Sequence, residues 1–548
     1  MSSIPIPYQL GNLLNELENG FFAIPEIQRP FVWTSGKVRD LADSIYRGDP
    51  IGAIIVWEMP RKFIEEYGEL LRPLAEGLNI KNSRYMVIDG QQRLISLLLI
   101  KNGELKLLQR GGVRTKKLEL YFHPIKEEFT LERKKVKSQK SWIRVKEVIE
   151  VDDTYLLLSK HQLINNQLAR TTINRLKESF KTYTVTVIKI GLQYSSEDGF
   201  LGLFERISRM FEKLNTRGVR VRLPDLIEAL LTAKTRKEIG ESFKLKFTDV
   251  LEQAKRLGFD IPETVGIRIY MAISTDAIRF KECRATLETM RGDEIMERLE
   301  ATRITLNETI NMIKDFGIDS TQYLQSKYLL VPVAYYTWIA ALKPHKALSI
   351  DERKLIRKWI LLASFNERYT GKLETDLRED IEDLKEKKSM DALIENLPIK
   401  DLSSEMLEGE YEEKHLALLK MLYRINEAPD WDLRIIREGR IPRKVLELSY
   451  EESERHHIFP ETLLRRNGYE DELINDVANM TIISKGANNY IRYNAPKEYL
   501  SELNNHDPEI IKRHFIPEDP ELWELENYVE FLKKRRELIL KASKWILE

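Results

Sequence analysis

Cysteine is almost missing from this chain. Cys283 is the single one, so no disulfide can form within the chain and no zinc site can be built on several thiolates. Long apolar runs are missing too: none reaches the roughly 18 residues of a membrane-spanning segment. The N-terminal stretch MSSIPIPYQL lacks the basic and apolar blocks of a secretory signal. A reducing, cytoplasmic setting is the expectation. Neither sign of charge is in excess. Lys+Arg and Asp+Glu each number 87, so net charge argues neither for nor against a polyanionic partner. No internal repeat or low-complexity tract is seen. Histidine is scarce, with 8 in 548 residues, and two of those stand side by side.

What is present is ordinary globular material, 42% hydrophobic and 32% charged. The length calls for more than one core, with boundaries expected near 240 and 440. Charge is uneven along the chain. Residues 101–146 hold 14 Lys/Arg against 5 Asp/Glu, and residues 374–413 hold 5 against 15. Such asymmetry suits one anion-facing surface, or simply two solvated ones. The basic run 132–140 reads the same two ways.

The pattern predicts a helix over 8–19, a helix after the cap Thr34 that stops at Gly48, and a buried strand at Ala53–Trp57. Residues 104–122 alternate like strands, and Tyr183–Ile190 is a β-branched strand. A helix is expected through Phe200–Phe211, ending at Asn215-Thr216-Arg217-Gly218. From about 240 to 440 the reading is nearly all helical, with Tyr328–Leu342 apolar on every side. Strand signals return after Pro442.

Two N-terminal stretches carry possible chemistry. In Ile24-Pro25-Glu26-Ile27-Gln28-Arg29-Pro30, the prolines enforce an extended backbone that holds Gln28 and Arg29 in fixed directions. In Tyr85–Leu98, an apolar strand ends at Asp89-Gly90 and a helix begins at once. That junction presents backbone N–H groups to an anion. Gly90 permits close approach, Gln91 and Gln92 offer amides, and Arg93 offers a fork for phosphate. Asp89 could orient a water or a ribose hydroxyl. The plainer alternative is a capped turn with a surface arginine. Arg217, beside Asn215 at a helix exit, could also reach a phosphate.

The densest constellation lies near the C-terminus, at Glu454-Arg455-His456-His457-Ile458-Phe459-Pro460. In an extended segment His456 and His457 point to opposite faces. Asn479 opens a second apolar strand, Met480–Ile483, and Asn488 follows nine residues later on a helix. Phosphodiester hydrolysis needs a base for water, a Lewis acid for developing charge and a group that orients the base. His457 is assigned as base, Asn479 as its orienting partner, and His456 and Asn488 as ligands of a hard divalent cation. Arg492 and Lys497 are placed to meet phosphates. Alternatively, the histidine pair is merely structural.

Both ends resemble one family. Ile24–Trp33, with Gln28 and Arg29, together with Asp89-Gly90-Gln91-Gln92-Arg93-Leu94 and Phe211–Gly218, resembles the N-terminal domain of GmrSD-type, modification-dependent (type IV) restriction endonucleases. The block His456-His457-Ile458-Phe459-Pro460, Asn479 and Asn488 resembles the HNH (His-Me finger) nuclease domain that such proteins carry. The resemblance implies a multidomain α+β chain. Residues 1–240 would form a ParB/sulfiredoxin-like α/β domain that binds nucleotide and senses a signal. Residues 241–440 would form an all-helical connecting domain, and 441–548 a ββα-metal HNH nuclease domain. It further implies a divalent-metal-dependent (Mg2+ or Mn2+) DNA endonuclease of bacterial or archaeal anti-phage defence. That enzyme would cut modified foreign double-stranded DNA and bind and hydrolyse a nucleoside triphosphate of the GTP or ATP type. Asp89, Gln91, Gln92 and Arg93 stand at the matching nucleotide positions, and a homodimer is admitted. Two departures stand out: His456 replaces the Asp or Glu that precedes the base in many members, and Ala478 replaces a usual Gly. The alternatives are a non-catalytic ParB-like DNA-binding regulator, a phosphorothioation-linked DNA-nicking protein, or a nuclease acting on RNA or without specificity.

Overall fold

The computed structural model describes residues 3–25, 28, 30–68, 71–109, 112–132, 141–191, 223–492 and 494–548. The chain divides into two compact units, Met1–Ser242 and Phe243–Glu548. It is a mixed α+β chain, with a sheet in the first unit and helices dominating the second. Among the described residues, no helix is long and apolar enough to cross a membrane.

The first unit is built on a six-stranded sheet, ordered β1-β11-β3-β5-β2-β4. Its strands are β1 (Ser3–Gln9), β2 (Phe22–Pro25), β3 (Ile54–Glu58), β4 (Leu71–Pro73), β5 (Tyr85–Asp89) and β11 (Thr184–Ile190). Sequence periodicity assigned a helix from residue 8, whereas the structure has a strand to Gln9 and a helix only over Leu10–Glu18. Pro5 and Pro7 concealed that strand. It tolerates them because it lies at the sheet's edge, and residues two apart aim their missing N–H groups the same way. The Thr34 cap accepts from Lys37 N, and the helix Ser35–Arg47 stops at left-handed Gly48, as the pattern predicts. Two small antiparallel groups complete the strands, β6 (Glu104–Gln109) with β7 (Gly112–Lys117), and β8 (Tyr121–His123) between β9 (Glu128–Thr130) and β10 (Ile143–Arg144). The basic run from 133 to 140, the helix expected through 200–211 and the stretch 211–218 lie outside the described residues.

The central strand pair sets the position of the N-terminal motif. Val87 and Ile88 are buried on β5, and the strand passes directly into the helix Gln91–Asn102. The link is Gly90, at φ 98°, where a Cβ would stand 3.0 Å from the Ile54 side chain on β3. A left-handed backbone and a close neighbour together require glycine there.

The second unit is helical from Phe243 to Asn426. The helix Leu330–Thr337 is buried at every residue, matching its apolar sequence, and it continues into a π turn, Trp338–Leu342. Beyond residue 450 a small ββα element appears. β12 (Ser453–His457) pairs antiparallel with β13 (Met480–Ser484), and the helix Lys485–Ile491 follows immediately. Its core includes Trp431, Ile458, Phe459, Tyr499 and Phe531. The long C-terminal helix Tyr528–Leu547 packs behind it.

Candidate functional site: the paired histidines of the C-terminal hairpin

Antiparallel pairing places His456 opposite Thr481 and His457 opposite Met480. Neighbouring residues of a strand face opposite ways, so the two imidazoles meet different surroundings. His456 turns inward and is 3% exposed. The rings of Trp431 and Tyr499 pack edgewise on it, at 5.9 and 6.1 Å. His457 is half-buried and reaches the surface.

Burial pushes the His456 pKa down to about 4, against the pull of its hydrogen bond to Asn488 and with a small push from His457. The ring is therefore neutral at neutral pH and keeps a lone pair. Its Nδ1 stands 2.7 Å from Asn488 Oδ1. Its Nε2 is buried without a hydrogen-bond partner. Asn488 is the fourth residue of its helix, whose start is capped by Ser484 Oγ accepting from Ala487 N. The far end of the Asn488 amide donates from Nδ2 to Glu454 Oε2 at 2.8 Å. An amide oxygen can only accept, so the neutral ring carries its proton on Nδ1 and its lone pair on the buried Nε2, and the pair would hold a divalent cation once that proton moves to Nε2. With ligand distances of about 2.1 Å, neighbouring donors on a small cation lie roughly 3 Å apart. Among the described residues, no group of three or more His, Cys, Asp or Glu side chains could hold a metal.

His457 has a partner that sequence reasoning missed. Its Nε2 lies 3.1 Å from Asn475 Oδ1. A carbonyl-type oxygen can only accept, so the neutral ring carries its proton on Nε2 and its lone pair on Nδ1. Three asparagines crowd residues 467–479, and nothing in their spacing distinguishes Asn475 from the others.

Asn479 does not orient His457 directly. It is completely buried, and its side chain is used up elsewhere. Oδ1 accepts from Phe459 N at 2.8 Å, while Nδ2 donates to Phe459 O at 3.1 Å and to Ile474 O at 2.9 Å. Its own carbonyl accepts from Ile458 N at 2.8 Å. Asn479 thus clamps the backbone just after the paired histidines, and so sets the exit of β12. Arg535, fully buried, holds the carbonyls on either side of Asn479, those of Ala478 and Met480, at 2.8 and 2.7 Å. Lys497 is paired with Glu524, which raises its pKa. Arg492 is exposed just after the helix that carries Asn488.

The N-terminal motif has a different character. Gln28 Nε2 donates to the carbonyls of Val87 and Ile88 at 2.8 and 3.0 Å. Gln92 Oε1 accepts from Val32 N and Trp33 N, and Gln92 Nε2 donates to Pro30 O at 3.1 Å. Arg93 donates to Asp89 Oδ2 at 2.8 Å and to Ile51 O at 3.0 Å. Its guanidinium lies over Gly52, where a Cβ would stand 2.7 Å from Nη1. Gln91 is buried. Among the described residues, these side chains pin the Pro30–Trp33 segment and the strand ends to the helix. Arg29, Asn215 and Arg217 lie outside the described residues.

Comparison with known proteins bears on both ends unequally. Across 96% of its length the chain is similar to an uncharacterized protein of Methanocaldococcus jannaschii, with 22% identity over 598 residues and 97% of that protein covered. Residues 10–232, which hold the Gln28 and Asp89–Arg93 motifs, match the family model described as the N-terminal domain of the GmrSD restriction endonuclease.

Proposed function

We propose that this chain is a divalent-metal-dependent DNA endonuclease of the restriction type, acting in defence against foreign DNA. Its chemistry would reside in a ββα nuclease element within residues 441–548. The observation that carries the reading is the asymmetry of the paired histidines. One is dry, neutral and beside an amide oxygen, and the other is half-exposed with its tautomer set by Asn475. The match of residues 10–232 to a restriction-endonuclease domain supports the same substrate class.

In this reading His456 and Asn488 hold the cation, Mg2+ or Mn2+. When bound, it supplies Lewis-acid stabilisation of the charge that develops on the phosphate. His457 removes a proton from water at Nδ1, and Asn475 stabilises the imidazolium through Nε2–H. Asn479 clamps the strand exit and so holds the direction of His457. Arg492 approaches the DNA backbone. Lys497 does so only if it leaves Glu524.

For the first unit, we propose nucleoside triphosphate binding by Gln28, Arg29, Asp89, Gly90, Gln91, Gln92, Arg93, Asn215 and Arg217. It is supported by the family match and by the strand-to-helix turn. On binding, Gln28, Asp89, Gln92 and Arg93 would exchange their present partners for the nucleotide.

Cleavage of matched unmodified, glucosylated and phosphorothioated DNA, each with Mg2+, Mn2+ or chelator and with or without GTP or ATP, tests the proposal. Metal-dependent cutting of one modified substrate is expected. Equal cutting of RNA, or no cutting under any condition, would overturn it.

A further inference from the structure

We infer that Glu454 is a positioning residue of the metal site, fixing which end of the Asn488 amide faces His456. The inference rests on the reading of His456 and Asn488 as cation ligands. A primary amide has two ends of nearly equal shape and opposite chemistry, an oxygen that can ligate a cation and an NH2 group that cannot. Nothing in the length or helical position of Asn488 chooses between them. Glu454 does. It lies two residues before His456 on the same strand, so both side chains leave the same face of the hairpin. Its carboxylate can only accept, and it stands 2.8 Å from Asn488 Nδ2. The donor end of the amide is thereby drawn outward, and Oδ1 is left 2.7 Å from His456 Nδ1. A charge-assisted hydrogen bond is stronger than a neutral one, so the preference is substantial.

Glu454 is exposed, so its replacement does not remove a core side chain. Partners that orient a metal's ligands typically change affinity by about 10–100-fold when removed. The test is Mn2+ binding to the full-length protein without DNA, read from the loss of the free-Mn2+ electron paramagnetic resonance signal, with thermal unfolding recorded on the same samples. Glu454→Ala should weaken binding about 10–100-fold with little change in unfolding temperature. Glu454→Gln, whose amide can still accept from Asn488 but can also turn its NH2 group toward it, should lose less than Glu454→Ala. His456→Ala should lose the site. Native affinity in Glu454→Ala alongside lost binding in His456→Ala would overturn the role of Glu454 and leave the metal reading intact. Equal losses in the Ala and Gln variants would make the effect one of charge, and would also overturn it. Absence of Mn2+ binding in the native protein would overturn the metal reading itself.

Discussion

The turn at Asp89–Arg93 and the hairpin at His456–His457 are both rich in hydrogen-bonding side chains, but they use them in opposite ways. In the turn, Gln28, Asp89, Gln92 and Arg93 each hold a protein partner, and most of those partners are backbone atoms. In the hairpin, one clamp made by Asn479 and Arg535 secures the backbone. That leaves His456 with a buried, unpartnered nitrogen and His457 with a free lone pair. A buried polar atom without a partner costs on the order of 1–3 kcal/mol. The unpartnered nitrogen of His456 is Nε2, while the ring's other nitrogen, Nδ1, faces Asn488 Oδ1. The contrast teaches that polar density alone does not mark a site; what matters is whether the polar atoms already have partners.

The contrast is broken most forcefully at the proposed base. His457→Ala should lower DNA cleavage by about 10²–10⁴-fold, the usual range for a general base, with any nucleotide hydrolysis unchanged. Supercoiled-plasmid cleavage in Mn2+ measures it, and a variant that cuts at the native rate would remove His457 from the chemistry.

The next effects concern stability and set the two regions directly side by side. Asn479→Ala should lower the unfolding free energy of the second unit by about 3 kcal/mol, because a buried N–H and two carbonyls lose their partners. Gln92→Ala should lower that of the first unit by about 1–2 kcal/mol, since its bonds lie partly in solvent's reach. Denaturant titration of each variant gives both numbers. If Gln92→Ala left stability untouched, its hydrogen bonds would not hold the Pro30–Trp33 segment and the contrast would fall.

A pH effect that vanishes near neutral pH comes from His514. It is fully buried, donating from Nε2 to the Pro429 carbonyl and facing Thr481 Oγ1 through Nδ1. Burial pushes its pKa down to about 3. The unfolded chain binds a proton near pH 6.5, so between these values the folded state holds fewer protons. The stabilisation is complete above pH 6.5 and is lost as the pH falls toward 3. Its slope is at most one proton, about 1.4 kcal/mol per pH unit. His456, lowered to about 4, acts in the same direction. His514→Gln should therefore flatten the acid limb only in part, read from urea midpoints between pH 7 and pH 4.5. An unchanged limb would show that His514 is not held neutral.

The amino-acid sequence by itself determined the elements whose signal is local. Thr34 and Gly48 bound a helix because a hydroxyl cap and a left-handed glycine act within one turn. Apolar Tyr85–Ile88 followed by Asp89-Gly90 marks a strand running into a helix, because no other residue suits Gly90's backbone beside Ile54. Strand alternation separates the faces of His456 and His457, and it equally puts Glu454 with His456. Only the tertiary structure decided the partners. Ser3–Gln9 is a strand because an edge position excuses its prolines. Asn475 rather than Asn479 meets His457, and Asn479 instead clamps Phe459. Gln92 grips residues 60 positions away. Such pairings depend on chain segments brought together by packing, and hydrogen-bonding side chains carry no sequence mark that names a distant partner.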